Sequence, residues 1–470
     1  MNVDPHEERE TRHIILLRLQ RRNNLEILLS SKATRRTLPE VVIPRWQRPA
    51  EHLTTALRET CGVHAVSVSS LDVTLPELGS EQIRYEIMGL CSSDADIPRE
   101  KEWVTVDSLL ESTFRDPSDF QAVHQAIAQS ATDTENTTRG PFASLGWFSE
   151  LQRWVQTEIE TFGLHLNGKF RQLNACATFS LIRFETDGPA VWFKAVGAPN
   201  QREYPLTLTL ARLFSRFLPQ ILATRPEFNG WLAREAEGSL LSDCCTLQSW
   251  EAAAADLAEL QIASLGRGLH LLDLGAHDLR TSALVDLVEP FFLAMGKLME
   301  RQTKIPPARL SVGEIRSLSR MIQDALTLLA ETGIPTTIGH LDLNPGNVVC
   351  STTGAVFLDW AETFVGHPFI TFEYLLEHFR QTFGHEHRQE TEFVARYTSP
   401  WSTFVSESDI RRALEVAPLV AVFAYAAGNN LWMDSSKLTE PHTAGYLRGL
   451  VRRMMREACS LAKRNISCPS

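Results

Sequence analysis

The residues with the most chemical content are His340-Leu341-Asp342-Leu343-Asn344-Pro345-Gly346-Asn347 and Asp359, which closes the apolar run Val356-Phe357-Leu358. They supply one carboxylate able to act as a base and two side-chain oxygens suited to a hard divalent cation. Magnesium takes few protein oxygens and fills the rest of its shell from phosphate and water. An Asp in a loop broken by Pro345 and Gly346 can accept the proton of an attacking hydroxyl. This is the layout that phosphoryl transfer needs.

The surrounding residues say how these groups are positioned. Asn347-Val348-Val349-Cys350 and Ala355-Val356-Phe357-Leu358 are β-prone runs flanking the turn cluster Ser351-Thr352-Thr353-Gly354, and this spacing predicts a β-hairpin. The residue opening the first strand then lies near the residue closing the second. Asn347 and Asp359 are therefore expected to share one cation.

The pattern H-x-D-x-x-x-x-N, a hairpin, and an apolar run ending in Asp359-Trp360 resembles the aminoglycoside phosphotransferase and choline kinase family, as does Gly366-His367-Pro368-Phe369. The resemblance implies a protein-kinase-like fold and small-molecule kinase activity with ATP and Mg²⁺. It implies that Asp342 is the catalytic base and that Asn347 and Asp359 hold the metal. His340, grouped with Asp342 at the catalytic loop, is expected to brace the backbone.

Upstream, Lys194 lies in the apolar strand-like run Val191-Trp192-Phe193-Lys194-Ala195-Val196, where a buried ammonium needs a partner. Glu203, on a helix expected from near Gln201 through Phe217, can supply it. By the resemblance this pair positions the α- and β-phosphates of ATP. Phe170–Leu173 and Phe179–Phe184 read as the two preceding strands, joined through Asn174-Ala175-Cys176-Ala177-Thr178. In the family that turn covers the phosphates, and here it lacks glycine, so a stiffer cover is expected. Gly230–Gly238 resembles the hinge between lobes, with Ala233, Arg234 and Glu235 as the expected adenine contacts through the backbone.

Downstream the chain reads as mainly helical. Helices are expected at Ala252–Ile262, Ser311–Glu331, Phe372–Phe383, Ile410–Leu431 and Thr443–Lys463, the last with a basic face read as solvated. Trp147 to Ile159 has helical spacing, with Trp147 and Trp154 read as core. His385-Glu386-His387 reads as a polar loop rather than a metal site.

The chain before the polar stretch Ser130–Pro141 reads as an α/β module. Strands are expected at Ile14–Leu19, Leu25–Leu29, Val63–Val68 and Ile83–Leu90, with helices at Ala50–Thr60 and Pro117–Gln129. Trp103-Val104 leads into a further helical piece at Asp107–Glu111. The order, and Arg58-Glu59-Thr60-Cys61-Gly62-Val63 above all, resembles a Nudix domain. Laid on that family's motif, Val41 replaces the first Gly, Gln47 the first Glu and Thr55-Ala56 the Arg-Glu pair. The paired glutamates become Glu59-Thr60, so only Glu59 survives of the acidic set. The expectation is a non-hydrolytic module used for docking or ligand sensing.

Composition narrows the class. A chain of 470 residues exceeds one ordinary domain. With 46 basic against 57 acidic residues, a nucleic-acid partner is disfavoured. The scattered cysteines, without a C-x-x-C pair, read as reduced thiols of a cytoplasmic protein. No apolar leader and no run long enough for a bilayer is read, so neither secretion nor a membrane is expected.

The expected architecture is α+β. A Nudix-like domain (10–130) and a linker (131–141) precede a two-lobed kinase-like domain, its β-rich lobe at 142–235 and its helical lobe at 236–470. The expected function is ATP-dependent phosphorylation of a hydroxyl on a small molecule, with a cationic acceptor considered because Glu362, Glu373 and Glu377 could face it. The alternative is a nucleotide-binding regulatory pseudokinase with a sensory Nudix-like domain. Hydrolysis by the N-terminal module is a third reading, disfavoured by its missing glutamates. Oligomeric state is not legible in the sequence.

Overall fold

Spatial proximity divides the chain into two units, Met1–Tyr204 with Gln220–Glu235, and Pro205–Pro219 with Ala236–Ser470. The structure is a computed structural model and describes residues 10–21, 24–30, 35–45, 47–71, 82–91, 97–133, 140–244, 246–384 and 387–467. Most of the polar stretch before Pro141, the Arg22-Asn23 turn and His385-Glu386 lie outside the described residues.

The first unit opens with β1 (Glu10–Arg21), β2 (Asn24–Ser30), β3 (Glu40–Pro44), α1 (Pro49–Cys61), β4 (Ala65–Leu71), β5 (Gln82–Leu90), β6 (Lys101–Thr105) and α2 (Pro117–Asp133). The strands form one mixed sheet in the order β4-β5-β1-β2-β6, with β3 added on β1. β1 runs parallel to β5 and antiparallel to β2 and β3. Alternation along β1 sends Ile14 and Leu16 into one core, and Ile15 and Leu17 into another that α1 closes through Leu53 and Leu57. Gly62 ends α1 in the left-handed region at φ 67°, returning its N–H to the carbonyls of Leu57 and Arg58. β3 is absent from the sequence reading. Asp107–Glu111 forms short 3₁₀ turns rather than an α-helix.

The same unit continues with α3 (Trp147–Glu160), β7 (Leu166–Cys176), β8 (Phe179–Thr186), β9 (Val191–Ala195), the start of α4 (Glu203–Leu213), β10 (Ile221–Arg225) and β11 (Gly230–Arg234). These strands make an antiparallel sheet in the order β10-β11-β9-β8-β7. The N-terminal module packs directly on this sheet. The fully buried Gln172 on β7 accepts the Ser67 N–H at 2.7 Å and donates to the Ser67 carbonyl at 3.3 Å. Val66 joins the core built by Trp147, Phe148, Phe184 and Phe193. A buried amide paired at both ends specifies one docking register.

The second unit holds β12 (Ser239–Leu240), α5 (Leu247–Ala263), α6 (Gly268–Asp273), β13 (His277–Leu279), α7 (Thr281–Glu300), α8 (Val312–Glu331) and β14 (Thr337–His340). β15 (Val348–Ser351), β16 (Gly354–Phe357), β17 (Thr363–Gly366), α9 (Pro368–Phe383), α10 (His387–Thr398), α11 (Glu407–Gly428) and α12 (Pro441–Ser467) follow. Two small sheets, β12-β15-β16 and β13-β17-β14, lie among the helices. Ser311 caps α8 with a reciprocal Glu314 bond, which explains why that helix was plain in the sequence. No helix among the described residues is long and apolar enough to cross a membrane.

Candidate active site

The candidate catalytic loop hangs between two small sheets. β14 delivers His340, and β15 with β16 form the expected hairpin in the register Val348↔Phe357 to Ser351↔Gly354. Its tight turn needs Gly354 at φ 128°. Asp256 of α5 anchors the hairpin, accepting the Ala355 N–H at 2.7 Å and pairing with Arg216 at 2.6 Å. A Cβ at Gly354 would lie 2.8 Å from Asp256 Oδ2. Asp256 was missed in the sequence because its Ala-rich helix reads as plain packing.

At the open end of the hairpin the Leu358 N–H donates to the Asn347 carbonyl at 2.8 Å. This bond sets the start of one strand beside the residue preceding Asp359. Asn347 Nδ2 donates to the Asp342 carbonyl at 2.9 Å and reaches its carboxylate at 3.4 Å. Asn344 Nδ2 donates to the other carboxylate oxygen at 3.1 Å. With its amide nitrogen turned to Asp342, Asn347 keeps its side-chain oxygen for another partner. Asp359 is a non-glycine residue in the left-handed region, at φ 59°. Such backbone costs on the order of 1 kcal/mol or more and concentrates at functional sites.

His340 ties the loop to the hairpin. Its Nε2 donates to the Leu358 carbonyl at 3.0 Å and its Nδ1 accepts the Asp342 N–H at 3.1 Å. Full burial lowers its pKa, which keeps the ring neutral and fixes that tautomer. Both nitrogens are occupied by backbone, so His340 is a positioning residue. Asp342 and Asp359 are exposed, while Leu341, Leu343 and Trp360 around them are buried. The loop therefore presents carboxylates on an apolar footing.

In the first unit, Lys194 of β9 pairs with Glu203 in the first turn of α4. Glu203 is buried, and a carboxylate there is favoured by the helix N-terminus. The Lys194 ammonium also stands 6.0 Å from the Phe179 ring and 5.9 Å from the Trp231 ring. The turn after β7 has Cys176 opposite Phe179. It is closely backed, since the Phe142 N–H donates to the Ala177 carbonyl at 3.3 Å. A Cβ on Gly140 or Gly197 would come within 2.4 Å of Ala177 or 2.3 Å of Thr178. The absent glycines of the turn thus have counterparts on the segments behind it.

The expected hinge residues are more committed than the sequence suggests. Ala233 lies within the strand ladder, opposite Ile221 and Trp192. The Arg234 and Glu235 N–H groups donate to Gln220 and Ala190 carbonyls, both at 2.9 Å. The Glu235 carboxylate takes Arg183 at 2.6 Å and Trp192 at 3.1 Å, and these bonds hold its pKa low. Of the expected adenine donors, those two N–H groups are already used within the unit.

Other expectations also change. Glu377 pairs with Arg453, Glu373 with Arg380 at 3.2 Å, and Glu362 lies 3.4 Å from His277. Each of these carboxylates stands beside a basic protein group. The basic face of α12 is not simply solvated, because Arg452 donates to the Ala308 carbonyl at 3.1 Å and Arg448 to that of Leu298 at 3.4 Å.

Residues 199–402 match the family model described as the phosphotransferase enzyme family, a span that includes Glu203, Asp342, Asn347 and Asp359. Among solved structures, a choline kinase from Streptococcus pneumoniae is 13% identical, covers 67% of this chain and 99% of its own, and has a TM-score of 0.42. A choline kinase from Cryptosporidium parvum is 14% identical over 73% of this chain and 98% of its own, with a TM-score of 0.45. A spectinomycin phosphotransferase in complex with ADP and spectinomycin is 11% identical over 66% of this chain and 98% of its own, with a TM-score of 0.41. No curated protein matches the chain. Residues 199–402, which carry the candidate base and both metal-ligand candidates, are thus similar to the phosphotransferase enzyme family.

Proposed function

We propose that this protein transfers the γ-phosphoryl group of ATP to a hydroxyl of a small molecule. The observation that carries the reading is the Asp342–Asn347 pair, held by His340 at the mouth of the β15–β16 hairpin. In the reaction Asp342 orients the acceptor hydroxyl and takes its proton. The acceptor oxygen bonds the γ-phosphorus as the bond to the ADP oxygen breaks. Lys194, held by Glu203, binds the α- and β-phosphates. The free Asn347 oxygen and the exposed Asp359 carboxylate are hard donors that fit Mg²⁺, which would neutralise phosphate charge when bound. Positioning and charge compensation supply most of the rate.

The N-terminal module remains, on our reading, a Nudix-like domain without hydrolytic function. Glu59 is exposed on α1 and lacks the companion carboxylates of the family motif. The alternative of a regulatory pseudokinase draws on one observation, the backed and glycine-free turn at Ala177-Thr178. Magnesium-dependent ADP release with a panel of hydroxyl compounds separates the two. Turnover lost in Asp342→Ala supports the transferase, and Mg-ATP binding with no turnover on any acceptor supports the regulator.

A further inference from the structure

Beside Asp342 the second unit opens a cavity of about 280 Å³. Its lining includes Tyr374 and His378 of α9, Tyr425 of α11, and Tyr446 and Arg453 of α12. These residues are far apart in sequence, and α12 lies beyond the matched family segment. Tyr374 spends its hydroxyl proton on the Ala421 carbonyl at 3.0 Å, so the donors left to a ligand include those of Tyr425 and Arg453. Tyr446 donates to the Tyr425 hydroxyl at 2.8 Å, which leaves the Tyr425 proton for a ligand. Arg453 spends one amino group on Glu377 and retains further N–H donors.

The charge pattern is directional. Glu377 lines an adjoining cleft of about 550 Å³, whereas Arg453 lines both spaces. The smaller cavity therefore meets the positive end of the Arg453–Glu377 pair. Among the described residues, its formally charged lining groups are Asp342 and Arg453. Glu373, the other carboxylate nearby on α9, is buried and turned to Arg380.

We propose that this cavity seats the acceptor and that Arg453 selects one carrying an anionic group, a carboxylate or a phosphate ester, besides its hydroxyl. The assignment rests on the kinase reading only in placing that hydroxyl at Asp342. A planar guanidinium with spare donors binds such oxyanions in a fixed orientation. The volume suits a small acceptor.

The test is calorimetric titration of the full chain with glycerate, glycerol 3-phosphate, glycerol and choline, alongside ADP release. The expected result is at least tenfold tighter binding of one anionic probe than of glycerol or choline. Glycerate against glycerol 3-phosphate then tells carboxylate from phosphate ester. Arg453→Gln should abolish that preference, raising KM more than it lowers kcat, and Arg453→Lys should restore part of it. Glu377→Gln, which leaves the guanidinium in place, should sharpen the preference and guards against a folding defect in the first variant. Tighter binding of choline, no binding of either anion at millimolar concentration, or an unchanged preference in Arg453→Gln would overturn the proposal. Anion binding through Arg453 without any ATP turnover would keep Arg453 as an anion site and overturn the kinase reading, and with it the acceptor role of the cavity.

Discussion

His340 and Asp342 are joined by a single hydrogen bond of 3.1 Å, in which the ring nitrogen of the first accepts the backbone N–H of the second. The other ring nitrogen grips Leu358, next to Asp359. One buried imidazole thus sets the spacing of the candidate base and a candidate metal ligand. Replacing it with alanine should lower kcat by about 10- to 100-fold and destabilise the fold by about 1–3 kcal/mol, the usual cost of leaving buried polar partners unmet. Steady-state kinetics with thermal unfolding checks this, and an unchanged kcat would show that the loop holds its shape alone.

Asp342 and Asp359 are exposed, so removing either carboxylate should cost chemistry and little stability. Asp342→Ala should reduce turnover by roughly 10²- to 10⁴-fold, the range typical of a general base. Asp359→Ala should abolish turnover at ordinary Mg²⁺ levels. Asn347→Ala should recover part of its lost rate as Mg²⁺ is raised. Normal turnover in the two aspartate variants would refute the assigned chemistry.

Lys194 and Glu203 form a largely buried pair, with side-chain exposures of 13% and 2%. Breaking such a pair from one side costs about 3–5 kcal/mol, because a charge is left behind. Glu203→Gln should therefore lower the unfolding temperature and raise the KM for ATP. The Lys194→Met, Glu203→Gln double variant should be more stable than the sum of the singles predicts. Additive losses in denaturant titrations would mean the two side chains act independently.

Two buried groups in the second unit should give stability opposite pH slopes. Burial pushes Glu373 from 4.5 up to about 7, against the pull of Arg380. The folded state then holds the proton more tightly, so this contribution is full below 4.5 and lost as pH rises to about 7. Glu373→Gln should gain stability relative to wild type across that rise. Burial lowers His367 from 6.5 to about 3, so its contribution is full above 6.5 and lost as pH falls towards 3. His367→Asn, which keeps an acceptor at the start of α9, should resist that acid loss. Unfolding temperatures measured from pH 4 to 8 decide both, and parallel curves for variant and wild type would exclude these linkages.

The hairpin, Lys194 with Glu203, and the amphipathic helices were legible in the sequence because each depends on short-range rules, and the candidate catalytic loop was legible through its resemblance to a known family. Turn residues, alternation, capping and the cost of an unpaired buried charge all act within a few positions or between neighbouring elements. β3 and β10 escaped because each is short and is stabilised by the strand it joins. The contact between the N-terminal module and the five-stranded sheet was not legible for a related reason. A polar linker marks a change of composition, but Gln172 finds Ser67 only after both sheets have formed.

The sequence by itself determined the groups available: a candidate base, oxygen atoms suited to a cation, and a lysine that needs a carboxylate. Only the tertiary structure decided which charges were already satisfied and which faced open space. Glu362, Glu373 and Glu377 carried no visible partner in the sequence, and in the fold each stands beside a basic side chain. Packing of α9, α11 and α12 turned Arg453 from one more basic residue on a helix into the positive wall of a cavity beside Asp342. Such assignments depend on which side chains meet across long stretches of chain, and local pattern carries no record of them.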